Sequence, residues 1–142
     1  MRYRVKLTPA ENGDFISELP DFPIVFSTGK DEEEALAMVY DAFLAVCSSS
    51  IQDKEPIPIP KKRPKAGEKF IDVPALVVAK IAIHNAMLEQ GVSQVGLAAR
   101  LGIDPKSVRR LLNLGHTSHW PHLEAALSEL GYRVDAEVRR VA

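Results

Sequence analysis

The stretch EPIPIPKKRPK, at Glu55–Lys65, constrains this chain more than any other. Its alternating prolines lack amide donors and hold their predecessors extended, so no helix interior can run through it. Any fold must be built from what lies on either side. The two sides differ in charge. Residues Met1–Pro56 carry 5 Lys+Arg against 11 Asp+Glu, a net −6, and Ile57–Ala142 carry 13 against 8, a net +5. The overall charge of −1 conceals this division. An acidic half joined to a basic half points to two partners of opposite charge.

With 142 residues, 46% of them hydrophobic and 26% charged, the chain suits one medium domain or two small ones of a soluble protein. Two small domains have modest cores and gain from oligomerisation. The start MRYRVKLTPAENGDF has no apolar core region of the kind a signal peptide needs. No uninterrupted apolar run approaches the roughly 18 residues of a membrane span. The lone Cys47 excludes an internal disulfide and falls on the apolar side of an expected helix. The expected setting is a reducing cytoplasm, with no membrane, metal or cofactor.

The acidic half reads as three strands and a helix. Tyr3, Val5 and Leu7 alternate with Arg4 and Lys6, the pattern of a half-buried strand. ENGD at Glu11–Asp14 is a turn, Phe15–Leu19 the returning strand, and Ile24–Ser27 a third strand after Pro20 and Pro23. Asp31 and Glu34 have capping-box spacing, and Ala35, Leu36, Val39, Ala42, Phe43 and Val46 form an apolar stripe behind them. Ile57 and Ile59 are candidates for an edge strand.

The basic half is mostly helical. Phe70–Val73 is a short strand before Pro74, and Ala75–Gln90 is a helix stopped by Gly91. Short helices are expected at Ser93–Leu101, Asp104–Leu112 and Pro121–Leu130. Tyr132, Val134, Ala136 and Val138 then alternate with Arg133, Asp135 and Glu137, which predicts a terminal strand. That strand could close its own subunit or pair across a twofold axis.

The window Gln94–Asn113 fits a helix-turn-helix. Leu97, Leu101, Ile103, Val108 and Leu111 occupy the interlocking positions, and Ala98 lies where only a small side chain fits between crossing helices. Gly102 stands in the turn, where glycine takes positive φ without strain. Ser93 and Asp104 are caps, and Pro105 suits a first helical turn. The second helix would present Lys106, Ser107, Arg109 and Arg110 to a major groove, with Gln94, Pro105 and Asn113 beside them. Such readers usually pair to face half-sites about 34 Å apart, so a dimer or tetramer is expected.

In order and spacing, LPDFP (Leu19–Pro23), Gly29 before EEALA (Glu33–Ala37), EPIPIP (Glu55–Pro60), VPALVVAKIAIHNAM (Val73–Met87) and the helix pair resemble the HicB antitoxin family over nearly the whole chain. Ile24-Val25 stands where members often have Gly-Cys, and Lys30 where they often have Thr. The resemblance implies an α+β protein. Its small N-terminal β-β-β-α(-β) domain, the last strand optional, would have partial ribonuclease H shape and cover HicA, a basic RNA-cleaving toxin. Its C-terminal helix-turn-helix domain, with the terminal strand, would repress the toxin–antitoxin operon by binding operator DNA. The expected division is residues 1–60 for the toxin, 61–73 as linker and 74–142 for DNA and oligomerisation.

A −6 half complements a basic partner. Asp14, Glu18, Asp21, Phe22 and Pro23 are the expected toxin contacts, with the acidic helix start. Two other readings stay open. One is a transcription regulator whose N-terminal half senses a small ligand. The other is a metal-dependent nuclease using Asp14, Glu18 and Asp21, although no carboxylate lies within Tyr3–Leu7. His116, His119 and His122 recur every three residues, but Pro121 interrupts a shared helix and no cysteine is near. They read as surface histidines close to phosphate, and the chain reads as a binding protein rather than an enzyme.

Overall fold

A computed structural model describes residues 1–141. The N-terminal segment forms two strands rather than one, β1 (Arg2–Arg4) and β2 (Lys6–Pro9). β1 pairs antiparallel with β5 (Phe70–Asp72), Tyr3 opposite Ile71. β2 pairs antiparallel with β3 (Phe15–Glu18), which pairs with β4 (Phe26–Gly29). The break falls at Val5, whose amide donates to Lys69 O at 2.9 Å as the chain passes from one small sheet to the other. The third strand starts two residues later than its composition suggests, because Leu19, Phe22 and Val25 are tied in a turn by Phe22 N to Leu19 O and Val25 N to Phe22 O.

The helix α1 (Glu32–Gln52) covers one face of the three-stranded sheet. Asp31 caps it by accepting from Glu34 N at 2.7 Å, and the Glu34 carboxylate accepts from Lys30 N at 3.4 Å. Ala35, Val39, Phe43 and Cys47, four residues apart, are buried. The helix is long and apolar enough to cross a membrane by composition, but this stripe is spent on the sheet. Phe43 packs against Tyr3 with ring centroids 4.8 Å apart and planes tilted by 51°, and meets Phe22 edge-on at 6.3 Å. Burial pushes the Cys47 thiol up to about 12, which leaves it unreactive.

The helix α2 (Ala75–Gln90) is apolar on most of its circumference, as a helix enclosed by protein must be. Val77 and Ile81 join the first core with Tyr3, Phe43 and Ile71. Ala79, Ile83, Ala86 and Met87 join a second core. Around them pack α3 (Gln94–Leu101), α4 (Pro105–Leu112) and α5 (Trp120–Glu129), through Leu97, Val108, Leu111, Leu123 and Leu127.

Two expected strands do not form. Ile57 and Ile59 make no sheet ladder. The Asn85 amide instead accepts from Ile57 N and donates to Ile57 O, both at 2.9 Å, so a side chain replaces the partner strand. His84 Nε2 reaches Glu55 O at 2.6 Å and must carry the ring proton, since a carbonyl only accepts. The second is the terminal strand. Tyr132–Val138 alternates as a strand should, yet no ladder engages it among the described residues. Val134 touches the second core, while Val138 is 98% exposed. A strand needs another backbone to satisfy its amides, and the pattern alone does not supply one.

Gly29 shows how closely β4 and α1 approach. A Cβ there would lie 2.3 Å from Ala35 N and 2.7 Å from Ala35 Cα, backbone atoms that cannot turn aside. Gly29→Ala should therefore destabilise the protein by about 1–3 kcal/mol or more, measured by urea denaturation. An unchanged midpoint would show that the helix is free to move away.

Candidate functional site

Two surfaces collect the candidate residues. The first is the helix pair. Ser93 Oγ accepts from Gly96 N at 3.0 Å and Asp104 Oδ1 from Lys106 N at 2.8 Å, so each helix begins on its own cap. Gly102 ends α3 in the left-handed region at φ 66°, with Gly102 N donating to Ala99 O and Ile103 N to Ala98 O. Leu97, Ala98, Val108 and Leu111 are buried where the helices meet. Ile103, expected among the locking residues, is instead exposed, because the chain emerges from the glycine turn there.

The outer side of α4 is cationic. Pro105, Lys106, Arg109 and Arg110 are exposed and Ser107 half-buried, while Val108, Leu111 and Leu112 face inward. Gln94 is half-buried at the start of α3. Asn113 is exposed just past α4, where its Oδ1 accepts from Gly115 N at 2.9 Å. Behind α4 lies a groove of about 470 Å³, lined by Ile103, Arg110, His116, His119 and His122. The His119 and His122 rings meet edge-on at 5.7 Å. Among the described residues, no three His, Cys, Asp or Glu side chains are grouped to hold a metal.

The second surface is the acidic half, and here the structure divides the expected residues. Glu18 and Pro23 are exposed. Phe22 is a core residue against Phe43 and is not available to a partner. The Asp21 carboxylate is almost buried and paired with Arg4 Nη2 at 3.3 Å. Asp14 is held by Asn12, whose Oδ1 accepts Asp14 N at 3.0 Å. Asp14 and Asp21 are thus committed to different local partners, and Glu18 lies on the open face of the sheet, its register partners being Lys6 and Phe26.

Sequence reading missed the apolar part of this surface. Ile24 is 64% and Phe26 65% exposed, beside Pro23 and on the open side of β4. The signal was present, since Ile24 and Phe26 alternate with the buried Val25, and one side of such a segment must face outward. Asp21→Ala should lower stability by about 1–3 kcal/mol by leaving the Arg4 guanidinium without its partner. Equal urea midpoints for parent and variant would mean that Asp21 is a free surface group.

Comparison with known proteins identifies the family. Residues 2–82, from β1 into α2, match the family model of the HicB-like antitoxin of bacterial toxin–antitoxin systems. Antitoxin HicB 1 of Photorhabdus laumondii is 32% identical over 138 residues, covering 97% of this chain and 87% of its own. Antitoxin HicB 2 of the same organism is 35% identical over 135 residues, covering 95% and 94%. Antitoxin HicB of Escherichia coli K12 is 34% identical over 131 residues, covering 92% and 94%. With the family model spanning more than half of the chain and full-length relatives above 30% identity, the protein belongs to the HicB-like antitoxin family.

Proposed function

We propose that this antitoxin masks a basic, RNA-cleaving toxin of HicA type with its acidic half and represses its own operon with its basic half. The observation that carries the second role is the outer side of α4, where Lys106, Arg109 and Arg110 stand exposed on a helix capped at its start and anchored by Val108 and Leu111. In this reading α3 and α4 are a helix-turn-helix, and α4 lies in the major groove. The arginines read guanine edges, and Lys106, Ser107, Gln94 and Asn113 hold phosphates or neighbouring bases.

For the toxin, the contact surface is redrawn around groups that a partner can reach. Glu18 supplies charge, and Pro23, Ile24 and Phe26 supply an apolar centre of the kind that dominates binding energy. The acidic start of α1, Asp31–Glu34, steers a cationic partner from the same half of the chain. Two DNA-reading units are needed for a twofold operator, and the unpaired tail Tyr132–Val138 is the segment suited to join them across a twofold axis.

Arg109→Ala and Arg110→Ala should each weaken binding to a duplex from upstream of the gene by about 1–3 kcal/mol in a gel-shift titration, with toxin capture unchanged. Affinity should also fall steeply between low and moderate salt, through counterion release. A flat salt response would remove the phosphate contacts from the proposal. Phe26→Glu should show the reverse division, weakening capture of the co-expressed toxin by about 2 kcal/mol or more while DNA binding persists. Loss of both activities in any one of these folded variants would contradict separate surfaces.

A further inference from the structure

Lys80 differs from every other cation in the chain. Its side chain is fully buried, and among the described residues no carboxylate pairs with it. Its Nζ donates to Arg110 O at 2.8 Å, to Leu111 O at 3.3 Å and to Ser118 Oγ at 2.7 Å. Ser118 Oγ in turn donates to Arg110 O at 3.3 Å. The two carbonyls belong to the last turn of α4, where intrahelical donors run out and the helix dipole favours a cation.

Burying an ammonium without a counter-ion is costly, and a methionine or leucine would fill the same space without that cost. Desolvation pushes this group down to about 8. What the ammonium adds is direction. The apolar contacts of Val108, Leu111 and Leu112 hold α4 against the core through a driving force that has no direction of its own. Two hydrogen bonds from Nζ to the end of the helix are directional, and a third reaches Ser118, which itself donates to Arg110 O. Lys80 also sits on α2 between residues of both cores, with Val77 and Ile81 packed in the first and Ala79 and Ile83 in the second. The carbonyl it holds most closely belongs to Arg110 itself, next to Arg109.

We infer that Lys80 is a positioning residue for DNA recognition, fixing the last turn of α4, and with it Arg109 and Arg110, against the helix shared by both cores. This inference rests on the DNA-binding reading above. Base reading tolerates errors of only a fraction of an ångström, whereas general attraction to phosphate does not depend on such placement. Lys80 therefore acts on sequence preference rather than on overall attraction to DNA.

The test uses the full-length chain with Lys80→Met and, as a milder change, Ser118→Ala. Each is titrated against a duplex from upstream of its own gene and an unrelated duplex of equal length, over a salt series. Backbone amide spectra report the fold and the position of α4. For folded Lys80→Met, affinity for the upstream duplex should drop about tenfold, while the unrelated duplex and the salt slope stay unchanged. Amide shifts should concentrate between Arg110 and Ser118. Ser118→Ala should move the preference in the same direction by about threefold.

Equal loss on both duplexes would show a merely structural lysine and overturn the inference, as would folded Lys80→Met with unaltered preference. If Lys80→Met does not fold, Ser118→Ala decides, and an unaltered preference there overturns it. A parent chain with no preference for its upstream duplex would sink the DNA-binding reading, and this inference with it. A parent that has the preference, with variants that keep it, sinks the inference alone.

Discussion

The rest of the structure depends on the enclosure of α2 between two cores. Val77 and Ile81 close the core under the sheets, and Ala79, Ile83 and Met87 close the helical one. Neither small core is large enough to be generous in stability, and sharing a helix lets each bury surface that the other exposes. The polar residues of α2 extend this role. His84 and Asn85 hold the proline stretch at Glu55 and Ile57, and Lys80 holds the end of α4. The segment that joins the two halves in sequence is thereby fastened to the helix that joins them in space.

This architecture sets the geometry of the antitoxin. The acidic half and the basic half are joined through packed side chains of α2. Each half keeps its own charged exterior: Glu18 and the start of α1 on one, Lys106, Arg109 and Arg110 on the other. Two interior polar contacts lie within the fold, Asp21 Oδ1 with Arg4 Nη2 and Lys80 with the α4 carbonyls.

Much of the fold was legible because the signals are local. Gly102 and Gly91 stop helices where a left-handed residue is required, and Ser93, Asp104 and Asp31 start them by accepting amide protons within three residues. The stripe through Val39 and Phe43 repeats with the helix turn. What was not legible depended on partners distant in the chain. Asp21 and Phe22 look like a loop offered to solvent, and only Arg4 and Phe43 turn them inward. Ile57 looks like a strand residue until Asn85, 28 positions later, takes both of its backbone groups.

The sequence by itself determined the five helices and their order, the caps, the glycine turns, the opposite charges of the halves and the cationic outer side of α4. All of these follow from neighbours within about one helical turn, or from counting charge. The tertiary structure alone decided that α2 serves two cores, that Lys80 is buried on the end of α4, that Asp21 and Phe22 are structural, and that Tyr132–Val138 joins no sheet ladder among the described residues. Burial and hydrogen-bond partnership are properties of the assembled chain. A side chain's own chemistry states what it can accept or donate, and only packing states what it meets.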